Sequence, residues 1–176
     1  MKRTFFSLAL LLAVATLTAQ TKMTAREAAV KIADRILAST TYEFKNTKTG
    51  EIYKSVKKLP LDMDVKVACK YNNWHYTNGV TNMALMELGD KLGDKKYEKY
   101  VLKNMNFVFN EGNLDFFRKQ YDEAFKRDGW NAVRKLSWHM IFRGKRLDDN
   151  GPMGASLIEL QLNCLLYTSD AADDLI

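Results

Sequence analysis

Side chains that could do chemistry are concentrated where two predicted helices begin. Trp74 and Tyr76 precede one strongly apolar helical pattern, and Asp148 and Asp149 precede another. The dipole of a helix keeps a carboxylate at its start ionised, which suits a hydrogen-bond acceptor better than a proton donor. In an array of helical hairpins such helix starts meet at one end, and we therefore predict a polar cleft there.

Each of these residues also has a purely structural interpretation. Large aromatic side chains dominate protein cores, so Trp74 and Tyr76 could simply pack. Aspartate is favoured at and just before the first turn of a helix, so Asp148 and Asp149 could act as caps. His139 is a weaker candidate for binding, because it follows a tryptophan and could pack against neighbouring helices.

Metal and thiol chemistry are not indicated by the sequence. Neither His75 nor His139 lies at metal-ligand spacing from a cysteine or from a second histidine, so we predict no metal site and expect no cofactor. Cys69 lies among apolar residues in VKVACKY, which indicates a small buried side chain rather than a reactive thiol.

Helical periodicity dominates the chain and predicts an all-α fold. Thr24 and Glu27 have capping-box spacing at the start of an amphipathic pattern. The next two patterns predict an antiparallel helical hairpin, with Gly93 ending its first helix and Asp94 capping its second. Residues 40–71 lack the period and are predicted as a loop, with a short hairpin around Gly50.

Three further helices are predicted toward the C-terminus. They cover residues 113–126, residues 130–142 and a segment after residue 151, where Pro152 suits a position in the first helical turn. No fixed repeat period is visible along the chain.

The composition indicates one basic domain. The chain has 176 residues and a formal net charge of +6, and about 100–200 residues are typical of a single domain. The basic residues are scattered and the motifs of nucleic-acid-binding proteins are missing. We therefore predict a charged, solvated surface and no nucleic-acid partner. The sequence does not define the oligomeric state.

The first 19 residues have the three parts of a secretory signal. Lys2 and Arg3 are basic, an apolar run extends from Phe5 to Leu17, and the small residue Ala19 follows. We predict cleavage after Ala19 and export to a periplasm or to the extracellular space. The run is shorter than the roughly 20 residues of a membrane helix, so we predict no membrane span in the mature chain.

Two motifs resemble the unsaturated glucuronyl and rhamnogalacturonyl hydrolases, glycoside hydrolase families 88 and 105. The string NNWHYTNGVTNMALMELGDKLGDKKY resembles the family's opening hairpin, in which Trp-x-Tyr-x-x-Gly precedes an apolar helix and a Gly-Asp-x-x-Tyr link. The string RLDDNGPMGASLIEL is similar to the family's Asp-x-Gly segment at the start of another inner helix. The resemblance implies that residues 20–163 form the N-terminal part of an (α/α)6 barrel.

The resemblance also implies a reaction and a set of site residues. The family releases 4,5-unsaturated uronyl sugars from lyase-degraded polysaccharides by hydrating the C4=C5 double bond, and the rhamnogalacturonyl type is favoured here. Asp149 matches the carboxylate that hydrogen-bonds the substrate hydroxyls, Tyr76 matches a substrate-contacting aromatic, and Trp74 would wall the same cleft. Asp148 and His139 are further candidates for binding the oligosaccharide.

One departure from the family pattern affects activity. The family's general acid/base is an aspartate in a later Trp-x-Asp segment, and no such segment occurs before Asn163. We therefore expect the 176-residue chain to be inactive as a hydrolase. Two alternatives remain open, namely a non-catalytic helical-hairpin protein that binds carbohydrate or acts as a scaffold, and another six-hairpin glycosidase that acts on saturated substrates.

The segment CLLYTSDAADD, residues 164–174, departs from the preceding helical pattern without a cap or turn. It resembles the translation of a transposon-based sequencing adapter, read as TGT CTC TTA TAC ACA TCT GAC GCT GCC GAC. We therefore interpret residues 164–176 as a non-native tail that follows the natural sequence.

Resequencing the source DNA across the codon for Asn163 tests this interpretation. We expect the adapter to be absent and the reading frame to continue into a Trp-x-Asp segment. A confirmed CLLYTSDAADDLI reading followed by a stop codon would contradict it and would favour the non-catalytic alternative.

Overall fold

The described part of the chain is mostly helical and includes one small sheet. The computed structural model describes residues 23–173, with side chains described up to residue 163, so the predicted signal segment lies outside the described residues. Its helices are α1 (Ala25–Ser39), α2 (Tyr76–Leu92), α3 (Lys96–Val108), α4 (Glu111–Val133), α5 (His139–Arg143) and α6 (Leu147–Asp173), and its strands are β1 (Phe44–Asn46), β2 (Ile52–Tyr53) and β3 (Val65–Val67).

Residues 1–32 and residues 33–176 form separate units, and the described part of the first is the start of α1. The predicted capping box is present there. The Glu27 amide donates to Thr24 Oγ1 at 3.2 Å, and the Thr24 amide donates to Glu27 Oε2 at 2.8 Å. Each side chain thus satisfies an amide that the helix leaves without a partner.

The predicted hairpin around Gly50 is confirmed, and it belongs to a three-stranded antiparallel sheet of order β2-β1-β3. Asn46 shapes the turn because its Oδ1 accepts hydrogen bonds from the amides of Lys48 at 2.9 Å and Thr49 at 3.1 Å. Gly50 adopts a φ of 79°, which glycine tolerates best. The third strand falls in the segment predicted as loop, so that part of the prediction is wrong.

The predicted α2–α3 hairpin is confirmed together with both of its end signals. Gly93 has a φ of 66°, and the Asp94 amide donates to the Gly89 carbonyl at 2.9 Å. This is a Schellman motif, which ends a helix at a left-handed residue. Asp94 Oδ1 then accepts from the Lys96 amide at 3.1 Å and caps α3.

Two predicted helices differ from those in the structure. The helix expected over residues 130–142 is interrupted, because α4 ends at Val133 and Trp138 adopts a left-handed φ of 57° before α5 begins. Helix α6 begins at Leu147, so Pro152 lies inside the helix rather than in its first turn. The backbone of α6 also continues past residue 164. The helix therefore does not end where the sequence pattern changes.

The core has a main hydrophobic cluster and a smaller second one. The main cluster contains Tyr97, Val101, Phe117 and Trp138, all with almost no exposed surface. The second cluster is formed by Ala124, Val133 and Leu136 at the end of α4 and just beyond it. Helix α4 has non-helical dihedral angles at Asp128 and Gly129, which lie between Ala124 and Val133.

Helices α2 and α6 approach most closely at Gly79. A Cβ atom at this position would contact the Pro152 carbonyl carbon and would lie 2.5 Å from the Met153 backbone nitrogen. Backbone atoms cannot move aside as a flexible side chain can, so this crossing requires glycine. Among the described helices, none is long and apolar enough to cross a membrane.

Replacement of Gly79 by alanine tests the importance of this crossing. We expect Gly79→Ala to lower the free energy of unfolding by about 3 kcal/mol, because the added methyl group must push two backbones apart. Gly154→Ala is the matched control, since a Cβ atom there meets nothing within 4 Å, and it should raise stability by about 0.5–1 kcal/mol. Chemical denaturation of both variants measures the difference, and equal midpoints would contradict the prediction.

Candidate functional site

The structure brings the two predicted helix starts together. Because α2 packs along α6 from Gly79 onward, the residues just before α2 lie beside the first turn of α6. A hydrogen bond of 2.7 Å from Trp74 Nε1 to Asn150 Oδ1 joins the two segments. We refer to the surface around this junction, formed by Trp74, Tyr76 and Asp149 with their neighbours, as the candidate site.

Asp149 is the most unusual group of the candidate site. Its side chain is only 6% exposed, and its oxygens lie 3.8 Å from His75 Nε2 and 4.0 Å from Arg146 Nη1. Both distances are too long for hydrogen bonds, and among the described residues no side chain or amide donates to this carboxylate. A largely buried acceptor that lies near an arginine but lacks a direct donor can accept hydrogen bonds from a ligand.

The capping interpretation does not explain the two aspartates. Asp148 and Asp149 lie inside the first turn of α6, and within the described part of the chain neither accepts a hydrogen bond from a backbone amide. Their position still lets the helix dipole stabilise the ionised form. Asp148 is exposed, and the structure places only Asp149 against the other site residues.

His75 belongs to the candidate site, although the sequence placed it only among the polar groups at the start of α2 and gave it no binding role. It caps α2, because its Nδ1 accepts from the Thr77 amide at 3.4 Å and lies 2.9 Å from Thr77 Oγ1. In the neutral ring the proton is therefore on Nε2, the atom that faces Asp149. The sequence shows that His75 directly precedes a helical pattern. It does not show that His75 lies beside Asp149 on α6, because that contact depends on tertiary packing.

The two aromatic candidates occupy different environments. Trp74 is only 8% exposed, and its ring lies edge-on to Phe109 with centroids 5.7 Å apart. The expected role of Trp74 as a cleft wall for sugar stacking is therefore corrected, because packing covers most of its ring. Tyr76 is 47% exposed, and its ring centroid lies 4.7 Å from that of His75, so Tyr76 offers the accessible aromatic surface.

His139 lies near the same carboxylate but is held by its own neighbours. Its Nδ1 lies 2.7 Å from the Leu136 carbonyl, and its ring packs edge-on to Trp130. Burial lowers the pKa of His139 below its ordinary value, although the Leu136 carbonyl and the nearby Asp149 act in the opposite direction. The imidazole is thus neutral near pH 7 and donates from Nδ1 to the carbonyl.

Positively charged groups predominate around Asp149. Arg143 and Arg146 both lie close enough to lower the pKa of His139 electrostatically. The Arg143 guanidinium lies over the Trp130 ring at 3.5 Å, and its Nη1 is buried without a hydrogen-bond partner among the described groups. A surface of this charge favours an anionic ligand over a neutral one.

Comparisons with known proteins do not assign the chain to a family. No protein-family model, no curated protein and no solved structure matches it.

The pH dependence of stability tests the environment of His139. Because burial lowers its pKa in the folded state, the unfolded chain binds the proton first as the pH falls. The free energy of unfolding should therefore decrease on acidification through the ordinary histidine pKa of about 6.5. In His139→Gln this contribution is absent, so urea denaturation at pH 7.5 and 5.5 should show a smaller loss than in the wild type. Identical losses would mean that His139 titrates normally.

Proposed function

We propose that this chain carries the sugar-binding end of an exported glycoside hydrolase, built as part of an (α/α)6 barrel. The proposed substrates are 4,5-unsaturated galacturonyl-rhamnose oligosaccharides from lyase-degraded pectin. The observation that carries the proposal is the Asp149 carboxylate, which is buried at the junction of two helix starts and has no hydrogen-bond donor of its own in the described chain.

The proposed reaction is hydration of the vinyl ether in the unsaturated sugar. A carboxylic acid protonates C4, and the positive charge spreads over C5 and the ring oxygen. Water then adds at C5, and the resulting hemiketal opens and releases the next sugar. This route differs from direct attack at the anomeric carbon in ordinary glycosidases.

Asp149 acts in this proposal as an acceptor for sugar hydroxyls. The start of α6 keeps it ionised, and His75 Nε2 at 3.8 Å and Arg146 Nη1 at 4.0 Å lie beside the carboxylate without hydrogen-bonding to it. A hydroxyl pair on the substrate would supply the missing donors. Fixing the ring in this way aligns C4 with the proton donor, and such alignment contributes strongly to rate.

The surrounding groups suit an acidic sugar. Arg146 lies 4.0 Å from Asp149, and Arg143 and Arg146 both act on the neighbouring His139, so the uronate carboxylate would be attracted to the site. Tyr76 offers an exposed ring for contact with the sugar. Trp74 is assigned the role of a positioning residue, because it joins the two helix starts through Asn150.

The proton donor is not assigned to a described residue. By resemblance it belongs to a later Trp-x-Asp segment, so we propose that the 176-residue chain binds substrate without turning it over. A non-catalytic carbohydrate-binding protein is the second candidate function. One observation favours it: the half-exposed Tyr76 ring beside His75, together with the Asp149 carboxylate, offers groups that suffice for sugar binding without catalysis.

Replacement of Asp149 by asparagine in the product of the resequenced gene tests the proposal. The assay follows loss of the double-bond ultraviolet absorbance with an unsaturated galacturonyl-rhamnose disaccharide and an unsaturated chondroitin disaccharide, and release of reducing sugar with a saturated disaccharide. We expect Asp149→Asn to lower kcat/KM by about 100-fold, as a misplaced substrate would. Glu159→Gln removes an exposed carboxylate from the same helix and should leave kcat/KM unchanged.

Three outcomes would contradict the hydrolase proposal. An unchanged kcat/KM in Asp149→Asn would favour the non-catalytic function. Equal losses in Asp149→Asn and Glu159→Gln would indicate a general effect of charge on the helix. Turnover of the saturated disaccharide would indicate an ordinary glycosidase.

A further inference from the structure

A basic hollow lies between the β1–β2 hairpin and the junction of α3 and α4. Its volume is about 400 Å³, which falls within the usual range for small-ligand sites. Its wall combines an aromatic ring, two lysines and uncharged hydrogen-bonding groups. The lining residues used in the argument are Tyr42, Lys54, Ser55, Lys103, Asn106 and Asn110.

A second hollow of about 300 Å³ adjoins the first and shares Lys54 and Ser55 with it. It adds Lys57 and Lys58 to the lining. We call the two hollows together the basic cleft. Among the described residues that line it, four are lysines and none is a carboxylate. The Glu51 carboxylate does not line the basic cleft, but it accepts a hydrogen bond from the hydroxyl of the lining residue Tyr53.

The positive charge of the basic cleft is available to a ligand. Within the described structure, none of its four lysines forms an ion pair, and Lys103 instead lies over the Tyr42 ring at 4.2 Å. Burial raises the pKa of the Tyr42 phenol above its ordinary value, so this ring stays neutral and adds no negative charge. Within the lining itself no carboxylate offsets the local positive charge.

Another hollow of similar size shows that this arrangement is not a general property of the surface. It measures about 350 Å³ and is lined by charged residues of both signs. Those residues are Asp62, Asp64 and Asp128 together with Lys66, Arg127 and Lys135. The basic cleft is therefore distinguished by the absence of lining carboxylates.

Uncharged donors and acceptors in the basic cleft suit hydroxyl groups. Asn110 Oδ1 accepts the Asn113 amide at 3.3 Å, which leaves the Nδ2 group of Asn110 as a donor. Asn106 is exposed one turn earlier on α3. Sugar hydroxyls both donate to and accept from amide groups, so a sugar acid presents carboxylates to the lysines and hydroxyls to the asparagines of this lining.

We propose that the basic cleft binds an acidic oligosaccharide, with Lys54 and Lys103 contacting carboxylates and with Asn106 and Asn110 contacting hydroxyls. This binding site is separate from Asp149 and requires no hydrolysis. It therefore holds whether the chain belongs to a hydrolase or to a non-catalytic protein.

Calorimetric titration of the full 176-residue chain with trigalacturonate tests the proposal, with neutral galactotriose as the paired ligand. We expect trigalacturonate to bind and galactotriose to bind at least about tenfold more weakly. Lys54→Gln/Lys103→Gln should weaken trigalacturonate binding by about tenfold. Lys45→Gln/Lys99→Gln is the matched control, because it removes the same charge from exposed positions outside the basic cleft and should change affinity less than about twofold.

Two further titrations distinguish the basic cleft from the Asp149 site and from a nucleic-acid surface. A loss of trigalacturonate affinity in Asp149→Asn with no loss in Lys54→Gln/Lys103→Gln would overturn the proposal, because the ligand would then occupy the Asp149 site. A single-stranded oligonucleotide that binds as tightly as trigalacturonate would instead indicate a nucleic-acid surface. Equal affinity for galactotriose, or equal losses of trigalacturonate affinity in the two double lysine variants, would also overturn the proposal. Circular dichroism and thermal melting establish that each variant is folded.

Discussion

The backbone contact between Gly79 and Pro152 determines where the groups of the candidate site lie. Because Gly79 has no Cβ atom, α2 can approach the backbone of α6 at their N-terminal ends. This approach brings Trp74 within 2.7 Å of Asn150 and covers the Asp149 side chain. The glycine also belongs to the Trp-x-Tyr-x-x-Gly motif, so the motif has a direct steric meaning in this structure.

Burial of Asp149 creates an electrostatic requirement that the neighbouring groups meet only in part. Removing a carboxylate from water is costly unless charges and hydrogen bonds compensate. The start of α6 and the nearby Arg146 provide favourable charge, and His75 Nε2 faces the carboxylate at 3.8 Å. In the described structure, however, no group donates a hydrogen bond to this carboxylate. A ligand with hydroxyl groups could supply the missing hydrogen bonds.

Local signals in the sequence predicted the helix ends well because each depends on a few adjacent residues. The Thr24–Glu27 capping box and the Gly93–Asp94 link are examples. The interruption before α5 could not be predicted in this way. Trp138 Nε1 donates to the Asn72 carbonyl at 2.8 Å, and the Trp138 amide donates to Asn73 Oδ1 at 3.3 Å. These long-range bonds accompany a left-handed backbone that no helical pattern indicates.

The sequence predicted which helix starts carry polar residues, but it did not predict how these residues contact one another. The starts of α2 and α6 lie together, as expected for helix starts that share one end. The selection of Asp149 rested on the resemblance, in which it matches the carboxylate of the Asp-x-Gly segment. The burial of Trp74, the exposure of Asp148 and the contact of His75 with Asp149 depend on tertiary packing. The early start of α6 is likewise outside local prediction, because Pro152 favours a first-turn position.

The kink in α4 has a consequence for the rigidity of the candidate site. Val133 and Leu136, shortly after Gly129, belong to the small cluster, whereas Trp138 and Met140 belong to the main cluster. Segments with few buried apolar contacts open locally at a lower free energy than the whole fold, so the end of α4 is easier to open than α5. His139 and Arg143 lie on α5. The cationic side of the site is therefore anchored to the same core as α6, and it stays in place when the end of α4 opens.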